Sequence, residues 1–67
     1  MLFEQERKHK MVEYLQQNQR ASVQELGEVF QVSESTVRRD LKELEDGRLL
    51  KRTHGGAISL QRVDFEP

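Results

Sequence analysis

Sixty-seven residues amount to one folding unit, since domains commonly run about 100 to 150 residues. A chain this short buries only about 60% of the surface its unfolded state exposes, which argues against a deep enclosed substrate pocket. It has 34% hydrophobic and 34% charged residues, a formal net charge of −1 and no cysteine. Disulfides, thiolate metal sites and cysteine nucleophiles are thereby excluded, and a reducing, cytoplasmic setting is expected. The longest apolar runs are pairs such as Leu2-Phe3 and Leu49-Leu50, against about 20 residues for a membrane span. No signal-peptide apolar region follows Met1, so a soluble, untargeted chain without membrane partners is expected.

The near-neutral total hides an asymmetry. Residues 1–37 carry four basic and six acidic side chains, residues 38–62 carry seven and four, and residues 63–67 carry two acids. From Gly47 to Arg62 the sequence holds Arg48, Lys51, Arg52 and Arg62 with no acid among them. One end of the molecule is basic, as a polyanionic partner would require.

In chain order, the segment from Glu4 to about Gln17 lacks Gly and Pro, and Met11, Val12 and Leu15 share one helical stripe, which predicts a first helix. Asn18 to Arg20 break the pattern. Ser22 followed by Glu25 is a capping-box arrangement that starts a second helix, with apolar residues Val23, Leu26, Val29 and Phe30. Gly27 inside it costs about 1 kcal/mol relative to Ala, and close helix-to-helix approach is its simplest reason. Only Gln31 and Val32 precede Ser33, a second N-cap, after which Val37, Leu41 and Leu44 define a third helix. Two short helices joined this closely read as a helix-turn-helix. Gly47 is expected to close the third helix in the left-handed conformation.

Leu49 to Thr53 and Ala57 to Leu60 flank His54-Gly55-Gly56 and predict a two-stranded hairpin. Its register stays open between Thr53 and Arg52 facing Ile58. Leu49, Leu50, Ile58 and Leu60 are expected to add to the core, because a lone hairpin is marginal in water. The expected class is mainly α with a small hairpin: three helices plus a two-stranded wing over residues 1–60. Residues 61–67 show no pattern and read as the start of a linker.

Stepping 100° per residue from Val37 puts Ser35, Arg39 and Lys42 on the outer face of the third helix and Arg38 on its flank. Asp40 falls beside the buried stripe, where pairing with an N–H or an Arg suits it. A helix about 10 to 12 Å wide fits the DNA major groove, where Arg can bond guanine O6 and N7 and Ser or Thr can bond bases or phosphates. Ser33, Ser35 and Thr36 also lie at the helix N-terminus, which favours phosphate; Ser33 is most simply a cap. Lys51, Arg52 and His54, at a turn tipped by Gly55, have the reach to touch a DNA backbone or minor groove. The glycines themselves are explained first by the turn. His9 and His54 are the only histidines, and no metal-ligand spacing, nucleophile motif or phosphate loop is present, so no enzyme, metal or cofactor is expected.

Arg7, Met11 and Leu15, followed by Ser33, Thr36, Val37, Arg38, Arg39, Asp40 and Leu41, resemble the amino-terminal signature of DeoR-type bacterial transcriptional regulators. The stretch Gly47, Leu49-Leu50 and Lys51-Arg52-Thr53-His54-Gly55-Gly56-Ala57 is similar to that family's wing region. The likeness covers about residues 4–60. It implies a winged helix-turn-helix that binds a double-stranded DNA operator. It also implies a homo-oligomeric repressor of carbohydrate-catabolic genes, released by a sugar phosphate on a further domain beyond Pro67. Met1-Leu2 resembles a natural start. The rival reading is a winged-helix protein-interaction module, compatible with the near-neutral charge and the acidic first two helices.

Overall fold

In the computed structural model, which describes residues 3–60, the elements run α1 (Glu4–Asn18), β1 (Arg20–Ser22), α2 (Val23–Phe30), α3 (Glu34–Asp46), β2 (Leu50–Thr53) and β3 (Gly56–Ser59). The three helices and the hairpin stand where the sequence places them. The suggested linker, residues 61–67, lies outside the described residues.

Each helix starts with a side chain satisfying a free backbone N–H. The Glu6 carboxylate accepts from Phe3 N–H at 3.4 Å, Ser22 Oγ accepts from Glu25 N–H at 2.9 Å, and Ser33 Oγ accepts from Thr36 N–H at 3.2 Å. Each helix also ends on a non-glycine residue with positive φ: Gln19 (73°), Gln31 (58°) and Arg48 (62°). The expectation for Gly47 is corrected, since its φ is −85° and Arg48 takes the left-handed seat. Arg48 N–H donates to the Glu45 carbonyl at 2.8 Å and Leu49 N–H to the Leu44 carbonyl at 3.0 Å. That is a Schellman closure one residue later than expected, with Leu44 and Leu49 lining a common apolar groove.

The helices enclose Met11, Leu15, Val23, Leu26, Val37, Leu41 and Leu44, and the sheet adds Ala21, Leu50 and Ala57 from below. At about 25 cal/mol per Å² of apolar surface removed from water, such side chains supply the main drive to fold. An added Cβ on Gly27 would lie 3.0 Å from the Val32 carbonyl oxygen and 3.9 Å from Val37 Cγ2, so this glycine serves the close approach of α2, the turn and α3. The sheet contribution is smaller than expected. Leu50 is buried, Ile58 is half-buried, and Leu49 and Leu60 are exposed. Side chains alternate faces along a strand, so burying Ala57 turns Ile58 away from the core.

Neither pairing considered for the hairpin occurs. His54 and Gly55 form a two-residue turn that sets Thr53 opposite Gly56, Arg52 opposite Ala57 and Lys51 opposite Ile58. Gly55 supplies the positive φ, 82°. Gly56 answers a different need: β1 joins the hairpin antiparallel, giving the order β1-β3-β2. A Cβ on Gly56 would lie 2.2 Å from the Ala21 carbonyl oxygen. The third strand is an addition to the expected two.

Two ion-pair sets fix α3 against α1. Arg7 Nε and Nη2 donate to the two Asp40 carboxylate oxygens at 2.5 and 3.1 Å, and Asp40 is completely buried. Its place beside the core stripe is as the helical angles require, and of the two partners expected there, an N–H or an Arg, the side-chain bonds are made by Arg7. Lys8 bonds Glu4 at 2.8 Å and also Glu43. Glu4, Asp40 and Glu43 bring carboxylate oxygens within 4.8 Å of one another, yet all three already hold Arg7 or Lys8. An ion-pair network accounts for this cluster. Tyr14 Oη donates to Glu25, tying α1 to α2.

Candidate nucleic-acid interface

The turn between α2 and α3 is short because Gln31 reverses the chain in the left-handed conformation and Val32 N–H closes on the Gly27 carbonyl at 3.0 Å. With Val37, Asp40, Leu41 and Leu44 buried, the opposite face of α3 is turned outward. Ser35, Arg38, Arg39 and Lys42 are all exposed there. Ser33 Oγ donates to Thr36 Oγ1 at 3.0 Å and lies 3.4 Å from Ser35 Oγ, so the three hydroxyls form one cluster at the helix start. Ser33 is exposed and caps, while Thr36 is half-buried.

Acids stand at both ends of α3, Glu34 in its first turn and Glu43, Glu45 and Asp46 at its close, with the cations Arg38, Arg39 and Lys42 between them. Arg38 and Arg39 are the cations nearer the end whose free N–H groups favour an anion. Among the described residues Arg39 and Lys42 form no ion pair, and Arg38 makes one exposed contact with Glu34 at 3.2 Å. Exposed pairs of this kind add about 0.3 to 0.5 kcal/mol and are easily exchanged for a phosphate.

The hairpin brings its residues to this face unequally. Arg52 and Gly55 line a shallow groove with Arg38, between α3 and the hairpin. His54 lies at the turn, which opens a second groove shared with Asn18 and Arg20. Lys51 is exposed on β2. The tip is not free-standing: Val23 N–H, at the start of α2, donates to the Gly55 carbonyl at 2.8 Å. Arg52 is already engaged, its backbone N–H and Nε donating to the Glu45 carboxylate at 2.9 and 2.8 Å. These bonds, the backbone one foremost, hold the Glu45 carboxyl below the usual glutamate range.

Two residues of this surface escaped the sequence reading. Arg20 opens a strand of only three residues, too short to leave a periodic signal. Glu45 did leave one, an acid in the last helical turn, where the helix dipole disfavours it unless a cation is supplied from elsewhere.

Three helices, the third presenting Arg38, Arg39 and Lys42 to solvent, backed by a small antiparallel sheet, define a winged helix-turn-helix, a DNA-binding class of domain. Residues 7–63 match the DeoR-like helix-turn-helix domain, and the chain belongs to that family. It is 44% identical over 61 residues to the uncharacterized HTH-type transcriptional regulator YulB of Bacillus subtilis, covering 91% of this chain and 24% of that protein. It is 49% identical over 59 residues to the transcriptional repressor AccR of Agrobacterium fabrum, covering 88% and 23%. Over 55 residues it is 42% identical to the L-fucose operon activator of Haemophilus influenzae, covering 82% and 22%. The chain thus spans about a quarter of the length of the curated relatives it matches. No solved structure gives a significant match. No helix among the described residues is long and apolar enough to cross a membrane.

Proposed function

We propose that the chain reads a specific double-stranded DNA operator through the N-terminal half of α3, as the recognition part of a transcriptional regulator and not as an enzyme. The observation that carries this reading is the exposed, unpaired state of Arg39 and Lys42 beside Ser35 on the face of α3 opposite the core. Ser35, Arg38 and Arg39 approach base edges. Thr36 and Lys42, with Ser33 at the helix start, approach phosphates. Lys51, Arg52 and His54 act from the hairpin, where Gly55 lets the backbone come close.

In the whole protein, a linker from residue 61 leads to a further domain that binds a sugar phosphate and forms a homo-oligomer, so that two copies meet paired half-sites. The protein acts in the cytoplasm, where its operator is. One relative is named a repressor and another an L-fucose operon activator; the family resemblance favours repression of a carbohydrate-catabolic operon, relieved by the sugar phosphate.

Fluorescence titration of the chain with a duplex recovered from a random pool tests the core of this reading. Affinity is expected to fall steeply between low and moderate salt, with a log–log slope of roughly 0.9 per phosphate neutralised. Binding insensitive to salt, or no preference for the recovered duplex over an unrelated one, would overturn it. The protein-interaction reading predicts that insensitivity.

A further inference from the structure

The groove between α3 and the hairpin holds a single acid, Glu45, facing Arg38 and Arg52 across a floor that includes Val23 and Leu41. An acid on a surface that meets DNA should weaken binding by repulsion. Its position in the last turn of α3 also opposes the helix dipole. Two disadvantages at one side chain call for a compensating role, and its bonds supply one. Glu45 takes both the backbone N–H and the Nε of Arg52, fixing strand β2 and the guanidinium plane together against α3.

Because Nε is the nitrogen used, the two terminal NH2 groups of Arg52 remain as donors, and among the described residues neither carries a bond. Arg38, on the other wall, is held only by its exposed contact with Glu34. Beside them Gly55 is open, with no heavy atom within 4 Å of where a Cβ would stand. A tetrahedral anion has room to approach here, and planar guanidinium groups bond phosphate oxygens in pairs.

We propose that Glu45 is a positioning residue, holding Arg52 so that its two terminal nitrogens grasp one DNA backbone phosphate at the groove, while Arg38 on the other wall is left to the base edges. The proposal rests on the DNA-binding reading above and adds to it a residue that touches no DNA. It also carries a sign opposite to simple charge reasoning: removing this acid weakens binding.

The test compares the unsubstituted chain with Glu45→Ala, Glu45→Gln, Arg52→Ala and the double variant Glu45→Ala/Arg52→Ala. The probes are the selected duplex and an unrelated one, over a salt series, with folding checked by circular dichroism. Glu45→Ala should lose roughly three- to tenfold in affinity on both duplexes and lower the salt slope by about 0.9, one phosphate contact. Glu45→Gln, which keeps an acceptor oxygen, should fall between it and the unsubstituted chain. The double variant should bind no more weakly than Arg52→Ala alone, because both changes remove the same contact. Tighter binding by Glu45→Ala or Glu45→Gln, or full additivity in the double variant, would overturn the proposal and leave the DNA-binding reading standing. Failure of the unsubstituted chain to bind either duplex would overturn both.

Discussion

Arg7 and Asp40 form a two-point ion pair between α1 and α3, with Nε–Oδ2 at 2.5 Å, Nη2–Oδ1 at 3.1 Å and Asp40 wholly out of solvent. The pair makes α1 a support for α3, gripping it at the residue that directly follows Arg39. Bonding to Asp40 also raises the Arg7 pKa, so the cation persists at any working pH.

Removing one partner strands a buried charge. Arg7→Met is expected to cost about 3 to 5 kcal/mol, comparable with the roughly 3 to 5 kcal/mol that a domain of this size has in total. Thermal and urea denaturation followed by circular dichroism should find it largely unfolded. The double substitution Arg7→Met/Asp40→Leu should recover most of the loss, because an apolar pair does not need the ionic partner. Near-equal stability of Arg7→Met and the unsubstituted chain would show that the pair contributes little.

Much of this was legible in the sequence. The 100° step alone put Asp40 beside the buried stripe and Ser35, Arg39 and Lys42 opposite it, because an amphipathic helix fixes its own phase. Three features were not legible, each for a tertiary reason. Strand β1 is three residues long and exists through its pairing with β3. Closure at Arg48 instead of Gly47 goes with the burial of Leu50 and with Leu44 and Leu49 lining one apolar groove, tertiary features that the conformational preference for glycine does not foretell. The hairpin register depended on which glycine made the turn, and Gly56 was already committed to the approach of Ala21.

The two adjacent glycines should therefore respond differently to alanine. At Gly56 a Cβ meets the Ala21 carbonyl oxygen at 2.2 Å and Ser22 Cα at 2.9 Å, so β1 must move and lose its pairing. A cost of about 3 kcal/mol, enough to unfold much of the population, is expected. At Gly55 the space is open but φ is +82°, and left-handed backbone costs a residue with a Cβ about 1 to 2 kcal/mol. Parallel urea titrations should rank Gly56→Ala well below Gly55→Ala. The reverse order would contradict the three-stranded sheet.

Stability should be flat across neutral pH and fall at both extremes. Glu45, bonded by Arg52, and Glu4, bonded by Lys8, are held below the ordinary glutamate value of 4.5. The folded chain binds these protons less readily than the unfolded chain, so their contribution is present above that value and lost as pH falls through the lowered ones. Lys8, bonded by Glu4 and Glu43, is raised above 10.5, and Tyr14, bonded by Glu25, above 10.0. Their contribution is present below those values and lost as pH climbs beyond them. Urea midpoints measured from acid to alkaline pH should trace this plateau. A midpoint that rises on acidification below 4.5 would show that the carboxylate bonds do not stabilise the fold.

Arg39 and Lys51 should separate sequence reading from phosphate attraction. Arg39→Ala is expected to cost about 1 to 3 kcal/mol on the selected duplex and far less on an unrelated one. Lys51→Ala should weaken both alike and lower the salt slope by about 0.9. Equal losses on every duplex for Arg39→Ala would reassign that residue to the backbone.

The most direct measurement is a map of backbone amide shifts as duplex DNA is added to isotopically labelled chain. Ser35 to Lys42 and Lys51 to Gly55 should move together and saturate at one stoichiometry, while Lys10 and Gln17, exposed on α1, stay still. Shifts confined to α1, with α3 and the hairpin unchanged, would contradict the assignment of the basic face of α3 as the surface that meets DNA.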